Sequence, residues 1–122
     1  MIRLDQRQVA GSAVVVTVAG TVDLWSSPQL RRELLDVVKS QPQSVCVDLS
    51  GVEYMDTSGI ATLIDISCKL NAEGKKLKVA APSEDVLHVL ELVGPGNDFE
   101  VYGSVDEACT GRGTAADNGE TG

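Results

Sequence analysis

Val45-Cys46-Val47-Asp48-Leu49-Ser50-Gly51-Val52-Glu53-Tyr54-Met55-Asp56-Thr57-Ser58-Gly59-Ile60 is the stretch from which the rest of the chain is read. Its first five residues are rich in β-branched and apolar side chains and predict a strand. Beyond it, Ile60, Leu63, Ile64 and Leu70 recur at helical spacing. The chain is expected to loop from Ser50 to Thr57, then run as a helix from Ser58 to about Glu73, closed by Gly74 as a left-handed cap. A serine at that helix start lies among unpaired backbone N–H groups, at the positive end of the helix dipole. Ser58 is therefore either an N-cap that satisfies those donors or a hydroxyl where the fold would tolerate a phosphoryl group.

Working outward, Val9 and then Ala13-Val14-Val15-Val16-Thr17-Val18-Ala19 read as two strands joined at Ala10-Gly11-Ser12. The second run is almost wholly apolar, as expected of a strand covered on both faces. Gly20 ends it, and a short loop carries Asp23 and Trp25. Ser27-Pro28 opens a helix with serine as N-cap; Leu30, Leu34, Val37 and Val38 form its apolar stripe, and Gln41-Pro42 stops it. Leu77-Lys78-Val79-Ala80-Ala81 is a further strand. Ser83 caps a helix whose stripe is Val86, Val89, Leu90 and Val93, with Gly94-Pro95 as its stop. Phe99 to Tyr102 reads as a short edge strand, and Ser104 to about Cys109 as a last helical turn or two. Strands alternating with helices predict the α/β class: one central mixed sheet of about four to five strands packed with helices. Residues 1–110 form the expected domain, and residues 111–122, which keep no apolar residue larger than alanine, a flexible tail.

The bulk properties narrow the function. A length of 122 residues suits one domain with its own core. The net charge of -8 disfavours nucleic acid and anionic membranes, and it steers the chain toward basic protein surfaces. No stretch approaches the ~20 apolar residues of a membrane span, and the first residues lack the apolar core of a secretory signal; a cytoplasmic protein without membrane insertion is expected. Cys46, Cys68 and Cys109 have no C-x-x-C spacing and fit reduced thiols, with Cys46 in a strand and Cys68 on a core-facing helix position.

Several residues carry two readings each. Asp56 is a turn or capping acid, or it presents the neighbouring hydroxyl. Asp23 makes a turn or faces a partner. Trp25 covers the core edge near the first helix, or anchors an interface. On the helix after Ser58, the spacing assigns Ile60, Leu63, Ile64, Cys68 and Leu70 to the core. Thr62, Asp65, Lys69 and Glu73 fall opposite, and Ile66 falls on the flank between, as a docking stripe or partly buried under a loop. His88 lies away from its helix's apolar stripe and reads as a solvated residue; no metal, cofactor or catalytic constellation is expected. A serine hydrolase around Ser58 would lack a nucleophile-elbow pattern and have only His88 as a histidine base.

Three stretches carry a resemblance to a known family: Gly20-Thr21-Val22-Asp23, Val47 to Ile60 with its Asp56-Thr57-Ser58-Gly59-Ile60 core, and Leu87 to Gly94 leading to Phe99. Over about residues 1–110 the chain resembles the STAS domain, the module shared by anti-sigma-factor antagonists and sulphate-transporter tails. The resemblance implies a non-enzymatic antagonist that binds an anti-sigma factor doubling as a serine kinase of the histidine-kinase-like ATPase fold. Position by position it implies Ser58 as phosphoacceptor, with Thr57, where the family often has serine, as secondary candidate. It also implies resetting by a metal-dependent serine phosphatase, and a monomer or weak dimer when free. Asp23, Trp25, Asp56, Thr57, Ser58, Gly59, Thr62 and Ile66 are the expected partner-binding residues. The alternative is an accessory or scaffold subunit of the same fold, in a lipid-transport ABC system or a stress-signalling complex.

Overall fold

A computed structural model describes residues 2–9, 11–93 and 99–110. The expected tail at 111–122, the Gly94-Pro95 stop and the Ala10 part of the first turn lie outside the described residues. Along the chain run β1 (Ile2–Val9), β2 (Ala13–Val22), α1 (Ser27–Lys39), β3 (Ser44–Met55), α2 (Thr57–Asn71), β4 (Leu77–Ala80), α3 (Glu84–Val93), β5 (Phe99–Tyr102) and α4 (Val105–Thr110). The five strands form one sheet in sequence order, with β1 antiparallel to β2 and every later pair parallel.

Parallel neighbours need crossover connections, and α1, α2 and α3 supply them. Together they cover one face of the sheet. There Val14, Val16 and Val18 of β2 and Val45, Val47 and Leu49 of β3 pack with Leu30 and Leu34 of α1, Leu63 and Ile66 of α2, and Leu90 of α3. On the other face α4 covers a smaller cluster of Val15, Cys46, Ala80, Tyr102 and Ala108. β2 is thus buried on both sides at its middle, as its unbroken valines imply.

Four expected boundaries shift. β1 starts at Ile2, not near Val9; most of its side chains are polar and exposed, so an edge strand gives little hydrophobic signal. β2 runs past Gly20 to Val22, and β3 past Leu49 to Met55, because their ladder resumes after irregularities at Thr17/Ala19 and Gly20/Thr21. The expected Ser50–Thr57 loop is therefore strand down to Met55. α1 is preceded by Ser26, not capped by Ser27, although Pro28 does occupy its first turn.

The cysteines also divide differently from the sequence reading. Cys46 is buried, but Cys68 is exposed beside exposed Lys69. Burial pushes the Cys46 thiol up to about 12, with Cys109 and Asp48 nearby adding to the effect. Since the thiolate is the reactive form, iodoacetamide at mildly alkaline pH is expected to label Cys68 and Cys109 in the folded protein, and Cys46 only after denaturation. Intact-mass measurement counts the adducts, and a third adduct without unfolding would contradict this placement.

Candidate functional site

The carboxyl ends of β2 and β3 hold the site. Val22 pairs with Met55 across the ladder, and the Val22 carbonyl accepts the Asp56 N–H at 3.0 Å. The β2–α1 loop and the start of α2 are thereby fixed side by side. One residue, Asp56, separates β3 from α2.

Asp56, not Ser58, is the N-cap of α2. Its backbone is extended (φ -93°, ψ -174°), and its Oδ1 accepts the Ser58 N–H at 2.9 Å. The same oxygen accepts the Ser58 Oγ–H at 2.5 Å. Ser58 is the second residue of the helix and is partly exposed; Thr57 before it is exposed. Because Asp56 already satisfies the backbone donor, the Ser58 hydroxyl is not needed to cap the helix. Its hydrogen bond directs it at a carboxylate, an arrangement that orients a hydroxyl acceptor.

Asp23 organises the neighbouring loop. Its Oδ1 accepts the N–H groups of Trp25 (3.0 Å) and Ser26 (3.1 Å) and the Ser26 hydroxyl (3.1 Å). The Ser26 Oγ also lies 2.9 Å from the Thr21 carbonyl and accepts the Asp23 N–H at 2.9 Å. Desolvation raises the Asp23 carboxyl pKa, but the donors from Ser26 and Trp25 outweigh it and leave the group below its usual value. The loop so fixed holds Leu24 and Trp25 outward, 73% and 91% exposed. Trp25 does not cover the core edge. Tyr54, which pairs with Thr21 in the ladder, adds a third exposed apolar side chain at this end of the sheet (57%).

Gly59, Thr62 and Ile66 are placed differently from the sequence reading. Gly59 is buried, and a Cβ there would stand 2.7 Å from both Met55 Cγ and Val22 Cγ1, so its lack of a side chain lets α2 approach the strand ends. Thr62 is buried with its hydroxyl donating to the Ser58 carbonyl at 3.0 Å. Ile66 is fully buried among the core residues and forms no docking stripe. Ile64 is only partly buried. The buried face of α2 is thus rotated by roughly 70°, about two-thirds of a residue, from the arc that apolar residues alone define. Small and hydrogen-bonded residues (Gly59, Thr62, Ser67) occupy the inner face, where α2 lies between α1 and α3.

Asp23, Trp25, Asp56, Thr57 and Ser58 therefore share an accessible end of the sheet, while Gly59, Thr62 and Ile66 are buried and form no part of its surface. Leu24 and Tyr54 were missed by sequence reading. Leu24 could have been noticed as half of an apolar pair in a turn. Tyr54 could not, because the irregular β2–β3 register alters its face.

A mixed five-stranded sheet that carries a hydroxyl at this strand-to-helix junction matches the STAS domain. The family's sequence model, described as "STAS domain", matches residues 6–108, and the chain belongs to that family. Among its relatives, the anti-sigma-F factor antagonist RsfB of Mycobacterium tuberculosis is 28% identical over 97 residues, covering 80% of this chain and 79% of RsfB. The anti-sigma-B factor antagonist of Bacillus subtilis is 27% identical over 81 residues, covering 66% and 73%. A crystal structure of an anti-sigma factor antagonist from Mycobacterium paratuberculosis superposes with a TM-score of 0.83 at 28% identity, covering 91% of this chain and 93% of that one.

Proposed function

We propose that this protein is an anti-sigma-factor antagonist that acts by binding, not by turnover, and is switched off by phosphorylation of Ser58. Its partner is an anti-sigma factor that is also a serine kinase of the histidine-kinase-like ATPase fold. Unmodified antagonist holds that partner in the cytoplasm and leaves the sigma factor free. The phosphorylated form lets go, and a serine phosphatase resets it. Thr57, exposed and one residue away, is the secondary acceptor.

The observation that carries this reading is the partly exposed Ser58 hydroxyl, held by Asp56 at a helix start, with Leu24, Trp25 and Tyr54 outward at the same end of the sheet. Exposed apolar side chains at the same end as a hydroxyl give an interface something to bury and a charge switch something to oppose. The names of the relatives support the function. SpoIIAA of Bacillus, a neighbour in fold (TM-score 0.69 at 18% identity), has a structure in its phosphorylated form. Asp23, Trp25, Asp56, Thr57 and Ser58 are the direct contacts in this reading.

The test is intact-mass spectrometry of the full chain after incubation with the host's candidate kinases and ATP. One added phosphoryl group, lost in Ser58→Ala, is expected. No addition with any of them, or addition undiminished in a Ser58→Ala/Thr57→Val chain, would overturn the assignment.

A further inference from the structure

β3 outruns its neighbour. Its pairing with β4 ends with Asp48 opposite Ala80, whereas β3 itself continues to Met55. The first turn of α3 closes the far side of the gap beside those last residues. A cavity of about 160 Å³ remains there, lined by Tyr54, Met55, Asp85, Val86 and Val89. Met55 and Val86 are buried and form its floor; Asp85 is exposed at its edge, next to exposed Glu84. The chain passes from this floor directly into Asp56, Thr57 and Ser58.

We propose that this cavity receives an arginine side chain of the protein partner. The proposal rests on the reading that a partner docks at this end of the sheet, and it specifies one contact that the partner makes. A space of about 150 Å³ admits a benzene-sized group, so the cavity suits one side chain and not a peptide segment. Its apolar walls match the methylene stem of a long cationic residue. The exposed Tyr54 contributes an aromatic ring to the lining, a group on which a planar guanidinium stacks, and the Asp85 carboxylate offers a forked partner for its N–H groups.

The competing occupants fit less well. A carboxylate would meet Asp85 and Glu84, whose two charges outweigh the roughly half-unit positive end of α3. An aliphatic side chain would fill the walls but strip water from Asp85 with no return. A lysine would pair with Asp85 and use the Tyr54 face less fully. The chain's net charge of -8 favours encounter with a basic partner in the first place.

The probe is N-acetyl-arginine methylamide, titrated into the isotope-labelled full chain and followed by amide NMR. Saturable shifts are expected at Tyr54, Met55, Asp85, Val86 and Val89, with a dissociation constant of roughly 1–10 mM. Asp85→Asn, an exposed change that keeps the fold, should weaken binding about fivefold or more. The corresponding leucine and glutamate derivatives should shift these amides less. No saturable shift at these residues overturns the proposal, as does an equal response to the leucine or glutamate probe, or an unchanged affinity in Asp85→Asn. The titration contains neither kinase nor phosphate. Its failure leaves the Ser58 reading standing, and failure of phosphorylation leaves the cavity result untouched.

Discussion

Ser58→Asp is expected to bind the anti-sigma partner roughly one and a half to three and a half decades more weakly than the unmodified protein, while Ser58→Ala binds it constitutively. The range follows from the cost of a charge forced against a desolvated partner surface, about 2–5 kcal/mol, at about 1.4 kcal/mol per decade. Asp56 sharpens the effect. Its Oδ1 now accepts both the N–H and the hydroxyl of Ser58; an anion at position 58 removes the hydroxyl donor and sets two negative groups side by side in the contact.

Within the free domain the same substitution should be almost silent. The helix dipole favours an anion in the first turn by about 0.3–1 kcal/mol. Repulsion from Asp56 across a solvated ~4 Å gap opposes it by about 1 kcal/mol. The two nearly cancel, so thermal unfolding should shift little. Calorimetric titration of both variants against the purified partner, with melting curves alongside, checks both halves, and Trp25 fluorescence gives an independent readout where its exposed ring enters the contact. Equal affinities for Ser58→Asp and Ser58→Ala would sink the switch.

The alternation of strands and helices was legible in the sequence because the parallel strands are buried and densely β-branched, and because α1 carries an unbroken apolar stripe. The site was legible to the extent that it is local: Asp56, Thr57 and Ser58 adjoin one another, and the strand-to-helix change around them follows from pattern alone. What depends on neighbouring elements was not. The last half of β3 contains Ser50, Gly51, Glu53 and Tyr54, and only its ladder with β2 makes it a strand. Gly51 allows that ladder to close, since a Cβ there would stand 3.0 Å from Ala19 Cβ. The capping role passed from Ser58 to Asp56 for the same reason: where the strand ends determines which residue begins the helix. Spacing leaves Trp25 either covering the core edge or anchoring an interface; the Asp23–Ser26 hydrogen bonds decide between them, because they define a tight turn that holds it outward.

The largest stability loss is expected from Ile66→Ala, a position that spacing had left free to serve as a docking surface. Ile66 is fully buried, in a cluster with Leu34 of α1 and Leu63 and Leu70 of its own helix. Removing its outer carbons from such surroundings costs about 2–5 kcal/mol, the spread reflecting how far the neighbours can close the cavity. Here they can close little. The Arg31–Asp65 ion pair ties α1 to α2 one residue away, and Gly59 is already in contact with Met55 and Val22. The expected fall in melting temperature is on the order of 10 °C. Affinity for the partner, measured well below that temperature, should stay within about twofold of the parent, because distant independent sites rarely couple by more than ~0.5 kcal/mol. The opposite pattern, an unchanged melting curve with a lost contact, would place Ile66 on the surface and require α2 to be rotated about its axis by roughly two-thirds of a residue.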